Sequence, residues 1–159
     1  MATVHDTAGI DGIGVSSAYC LPLALVTNEA ALVLHVSRKT LINGLLDNVP
    51  RVLEPASIRQ VLIGPHVCPE HFTFEWEGPE ITRFVEKFPD AVEQDQAGVW
   101  SLSTRDAVQD YLEKWRISEE QIEEDLRCTF EASELPSYRR KSEELTRHVA
   151  TIVRASTKA

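Results

Sequence analysis

The stretch Glu29-Ala-Ala-Leu-Val-Leu-His35-Val-Ser37-Arg-Lys-Thr40-Leu41 decides how the chain is read. Ala30, Ala31, Val33 and Leu34 can line the inner face of one short helix. Leu41, Leu45 and Leu46 can line that of a second, with Val36 plugging the turn between them. Ala31 suits the crossing point of two steep helices, where a larger side chain would hold them apart. Ser37 is a good N-cap, because its hydroxyl can accept from a backbone N–H two or three residues on. Arg38, Lys39, Thr40 and Asn43 are then left around the outward face of the second helix. Those residue types contact phosphates and base edges.

From Leu25 to Leu46, LVTNEAALVLHVSRKTLINGLL resembles the helix-turn-helix of excisionase-type and MerR-like DNA-binding domains. The matching elements are Glu29-Ala30-Ala31, Leu34, Val36-Ser37-Arg38 and Thr40-Leu41. The resemblance implies a crossed helix pair with DNA as partner, contacted by Ser37, Arg38, Lys39, Thr40, Asn43 and Arg51. In that family a basic β-wing follows, whereas Asp47 to Pro55 supplies Arg51 and two acids. His35 replaces the glycine common at the turn, and Gly44 weakens the middle of the second helix by roughly 1 kcal/mol relative to alanine. The same residues also read as an apolar core segment followed by a polar turn.

A chain of 159 residues, 43% hydrophobic and 26% charged, has the composition of an ordinary globular protein. The N-terminus lacks the basic start of a secretory signal. The most apolar run, Ala18 to Val36, is interrupted by Pro22, Asn28 and Glu29, so no membrane span is expected. Cys20, Cys68 and Cys128 are far apart and odd in number, which predicts reduced thiols in a cytoplasmic protein. The net charge of −9 is uneven: residues 1–66 hold four basic and five acidic side chains, so nearly all of it falls on residues 67–159. An acidic half repels phosphate, and DNA contact would have to come from the near-neutral half.

The organisation predicted is a flexible lead-in over 1–18, a helix-turn-helix-like unit over 19–64, and an acidic α+β partner or dimerisation module over 65–159. Gly64-Pro65-His-Val-Cys-Pro69 marks the break. Phe72, Phe74 and Trp76 alternate as on a half-buried strand, and Ile81 to Phe88 suits a short helix. Val92 to Leu102 suggests a hairpin turning near Ala97-Gly98. Three C-terminal helices are expected. Ser103 or Thr104 caps the first (Val108, Tyr111, Leu112, Trp115), and Ser118 caps the second (Ile122, Leu126, Phe130). The third follows Pro136, with Leu145, Val149, Ile152 and Val153. The fold class is therefore α+β: a helix-turn-helix unit, a small antiparallel sheet and these helices.

His66, Cys68 and His71 fall within six residues, a spacing at which soft ligands can grip zinc, with Cys20, Cys128 or His148 as a fourth. The pattern lacks a second paired ligand set, and a polar loop explains it without a metal. Cys68 beside His71 has no nucleophile loop around it, and Gly9, Gly12 and Gly14 follow no strand of a nucleotide fold. No cofactor, metal or catalytic constellation is expected. The functional expectation is a non-enzymatic DNA-binding regulator or antitoxin-like protein, with a homodimer or a basic protein as further partner. The alternative is an immunity or inhibitor protein that meets a basic partner through Glu119, Glu120, Glu123, Glu124 and Asp125, without DNA.

Overall fold

The computed structural model describes residues 3–5, 12–75, 78–140 and 146–153. The apolar run of the decisive stretch forms strands, not helices. β1 (Thr3–His5) and β2 (Gly12–Ser17) precede a hairpin of β3 (Leu21–Val26) and β4 (Ala31–Val36). The hairpin closes through Thr27, whose hydroxyl accepts from the Glu29 and Ala30 amides, and its register pairs Leu23 with Leu34 and Val26 with Ala31. Both strands are buried almost throughout. A strand covered on both faces reads as a continuous apolar run, which periodicity alone does not separate from a buried helix.

Only the end of the stretch is helical: α1 (Arg38–Ile42) starts at Ser37, whose hydroxyl accepts from the Thr40 amide. It stops after five residues. Gly44 takes a φ of 81° while the Leu45 amide donates to the Thr40 carbonyl and the Gly44 amide to the Leu41 carbonyl. That is a Schellman ending, so Gly44 terminates the helix and does not lie inside it. The expected helix-turn-helix is thereby overturned.

After β5 (Gln60–Ile63), β6 (Thr73–Phe74) and α2 (Pro79–Lys87) come β7 (Val92–Gln94) and β8 (Trp100–Leu102), joined by the expected turn. α3 (Thr104–Lys114) is capped by Ser103, as its apolar spacing predicts. The next expected helix is instead a 3-10 turn at Glu119–Gln121 followed by β9 (Ile122–Glu124). The last is β10 (His148–Val153). Helical and strand spacing both fit His148-Val-Ala-Thr-Ile-Val153, but pairing decided the outcome: all six residues match β2, from His148 opposite Ser17 to Val153 opposite Gly12. The expected lead-in thus supplies two strands. Trp76 and Leu145, read above into a strand and a helix, lie outside the described residues.

The main sheet runs β1-β4-β3-β5-β9, antiparallel except for β5 beside β9. A three-stranded sheet, β6-β8-β7, stands apart from it, and β2 with β10 forms a two-stranded ribbon. On one face of the main sheet, Leu21, Leu23, Leu25, Leu32, Leu34 and Val36 enter a core shared with Phe84, Phe88, Val108 and Leu112. Alternation along a strand sends Pro22, Ala24, Val33 and His35 to the other face. The ribbon lies against that face. At Gly14 a Cβ would meet the Ala150 carbonyl oxygen at 2.7 Å, so the ribbon strands approach more closely there than a side chain allows.

Candidate functional site

Between the main sheet and the ribbon lies a slot of about 560 Å³. Its walls are Pro22, Ala24, Val33, Leu62 and Ile152, and its lip carries Glu123, Glu124 and Asp125. Two lip carboxylates are held by cations: Arg105 donates to Glu124 at 2.8 Å, and Arg127 grips Asp125 at 2.6 Å. With two of the three lip carboxylates paired to arginines, the apolar interior is what sets the ligand, and it suits a neutral molecule.

His148, Ala150 and Ile152 share one face of β10, half-buried while their neighbours Val149, Thr151 and Val153 are exposed. His148 therefore turns toward the same layer as the slot. Among the described residues, neither of its ring nitrogens has a hydrogen-bond partner, and both are shielded from solvent. Burial holds its pKa below the ordinary value of 6.5; Asp125 pulls it up and His35 pushes it further down. His35 is fixed by its Nδ1, which meets the Ser16 carbonyl at 2.9 Å. With Nδ1–H as donor, Nε2 keeps its lone pair.

Cys20 lies just before β3, beside the same layer. The Ser17 hydroxyl donates to its carbonyl at 2.6 Å, and Ser17 faces His148 across the ribbon. Burial pushes the Cys20 thiol up to about 11. It is a neutral thiol near pH 7, and a thiol in that form is a poor nucleophile.

The side chains read as groove contacts are engaged inside the protein. Arg38 donates to Glu80 and lies 4.6 Å over the Phe74 ring, and Lys39 reaches the same carboxylate at 3.5 Å. Thr40 completes the capping box with Ser37, and Asn43 accepts from Arg83. Arg51 is exposed on a 3-10 turn. The acids read as a partner face divide between a turn and an edge strand: Glu119 and Glu120 are exposed on the turn, while Glu123 accepts from Gln60. His66 Nδ1–H donates to the Gly64 carbonyl at 3.0 Å. Cys68 and Cys128 are joined in a disulfide, contrary to the expectation of three reduced thiols, and Cys20 alone is free. Two cysteines 60 positions apart carry no spacing signal. Of the slot, His35 was read as a turn residue and Asp125 as part of a charged helix. The period-two alternation of β10 was the available signal for His148.

Three sheets in this arrangement define a fold shared with solved bacterial structures. NMB0706 of Neisseria meningitidis superposes with a TM-score of 0.79 at 20% identity, over 97% of this chain and 64% of that one. YlmD of Geobacillus stearothermophilus gives 0.79 at 20%, over 96% and 60%. YfiH of Bacillus licheniformis gives 0.73 at 20%, over 89% and 57%. The chain spans about three-fifths of the length of these structures. No curated protein sequence matches it. Residues 2–155 match the family described as multi-copper polyphenol oxidoreductase laccase, and the chain belongs to that family. This overturns the DNA-binding regulator, its alternative as an inhibitor, and the expectation of a non-enzyme. No helix among the described residues is long and apolar enough to cross a membrane.

A multi-copper centre requires many imidazoles or thiolates to converge. The chain has five histidines, and none of the described ones joins a group of three ligand atoms within 4.8 Å of one another. His66 and His71 lie on a different loop. Three ligand atoms within 4.8 Å of one another occur among the described residues only at Cys68, Cys128 and Glu131. The described residues do not fit a multi-copper centre.

Proposed function

We propose that the protein is an enzyme whose active centre is the slot, where a small, flat, hydroxyl-bearing aromatic molecule is bound and gives up a proton to His148. The observation that carries this reading is an apolar cavity of substrate size lined by Ala150 and Ile152 of β10, the strand on which the half-buried His148 ring meets no hydrogen-bond partner among the described residues. A neutral imidazole with a depressed pKa is ready to accept a proton near neutrality, and positioned proton transfer of this kind contributes roughly 10²–10⁴-fold to rate. The apolar walls favour the neutral phenol over its anion. Family membership supports an enzyme and a phenol-class substrate. The activity of the whole protein is part of this proposal, since the solved relatives are longer.

Calorimetric titration with catechol tests the reading. One molecule is expected to bind per chain, with a heat that does not vary with the buffer's ionisation enthalpy, because the proton passes from catechol to His148 and none is exchanged with solvent. An absorbance shift toward that of the catecholate is expected with it. His148→Ala should keep binding and lose that absorbance shift. Ala150→Trp, which fills the slot, should abolish binding. Binding indifferent to Ala150→Trp, or no saturable heat at all, overturns the proposal.

A further inference from the structure

Two short turns meet at the disulfide, and they are built alike. In Cys68-Pro-Glu-His71 the His71 amide donates to the Cys68 carbonyl at 3.1 Å. In Cys128-Thr-Phe-Glu131 the Glu131 amide donates to the Cys128 carbonyl at 3.1 Å. Each turn carries a sulfur at its first position and a nitrogen or oxygen donor at its fourth. The turns are clamped together by a parallel bridge between His66 and Cys128, in which the Thr129 amide donates to the His66 carbonyl at 2.9 Å.

Three of the donor groups converge and the fourth stands beside them: the two sulfurs and a Glu131 oxygen lie within 4.8 Å of one another, and His71 Nε2 is 3.3 Å from Glu131 Oε1. His71 is steadied by stacking on Phe130, ring centroids 3.9 Å apart. The Cys68 amide donates to Cys128 Sγ at 3.1 Å, a bond that favours charge on that sulfur. Two thiolates, an imidazole and a carboxylate form a closed four-ligand set of the kind that holds zinc.

We infer that the reduced protein binds one zinc-class divalent cation through Cys68, Cys128, His71 and Glu131, and that the disulfide is the metal-free, oxidised form of the same site. The balance is simple. A dithiol reductant gives two electrons and two protons to the disulfide, becoming a disulfide itself and leaving Cys68 and Cys128 as thiols. Binding of the cation then releases both thiol protons, because the ligands are thiolates. His66 takes no part. The inference is independent of the slot, which shares none of these residues.

Cobalt titration of phosphine-reduced protein is the test, read by absorbance. One equivalent is expected to bind, with thiolate-to-cobalt charge transfer in the near ultraviolet and the strong visible bands of four-coordinate cobalt. Cys128→Ser should abolish the spectrum. Glu131→Gln and His71→Ala, both at half-buried or exposed positions, should each weaken binding at least about tenfold, the loss already typical of removing a group that only supports a ligand. His66→Ala should leave it unchanged. A weak, thiolate-free spectrum from protein with titratable thiols overturns the inference. So does binding that is indifferent to Glu131→Gln and His71→Ala, or a disulfide that persists in the phosphine.

Discussion

At Gly44 the backbone turns through a φ of 81°, and a Cβ placed there would lie 3.1 Å from Asp47 Oδ2. Asp47 is not free to move aside: Lys87 grips it at 2.6 Å and Tyr111 donates its hydroxyl to the other oxygen. Partial burial works against ionisation of Asp47, but the Lys87 and Tyr111 hydrogen bonds outweigh it, and its pKa is lowered. Gly44→Ala is therefore expected to destabilise the protein by about 1 kcal/mol or more, the cost of a non-glycine residue in left-handed backbone. Urea denaturation checks this, and a stability equal to the parent's would show that the turn relaxes. Gly44 was visible in the sequence, but its meaning was not. Whether a glycine weakens a helix or ends it depends on the φ the chain adopts, and only the Schellman bonds from Gly44 and Leu45 reveal that.

The elements show where legibility stopped and why. α2 and α3 were readable because each has one buried stripe and one wet face, and α3 also has its Ser103 cap. The hairpin at Ala97-Gly98 was readable from turn chemistry, with Gly98 at a φ of 83°. β3 and β4 were not, because burial on both faces erases the alternation that identifies a strand. Nor was β10 identified, since Val149, Ile152 and Val153 satisfy helical spacing as well as strand spacing. Its partner β2 lies more than 130 positions away, and no local signal announces a pairing of that range. The candidate site suffered most from this, because His35, Asp125 and His148 stand on β4, at the end of β9 and on β10. They share a site only after the ribbon has folded over the sheet.

For the molecule as a whole, the buried histidines couple stability to pH. Burial lowers the pKa of His66 against the pull of the Gly64 carbonyl and Glu124, and burial lowers that of His148 against the pull of Asp125. Above pH 6.5 both are neutral in the folded and the unfolded chain and add no pH dependence. As pH falls below 6.5, the unfolded chain takes up protons that the folded protein resists, so stability falls through the window down to the folded-state values. Melting temperature should thus drop between pH 6.5 and about 5, and His148→Phe should shrink the drop. A flat or rising profile over that range would show that the rings are solvated.

The central claim is that the space between sheet and ribbon is a working site, with His148 as its base. The most direct test is the proton NMR of the histidine rings during pH titration, without and with catechol. His148 is expected to titrate below the ordinary value of 6.5. Catechol is expected to shift the His148 and His35 signals saturably, while those of His66 and His71 stay in place. A His148 that titrates at about 6.5, with no response to catechol in either ring, would contradict it.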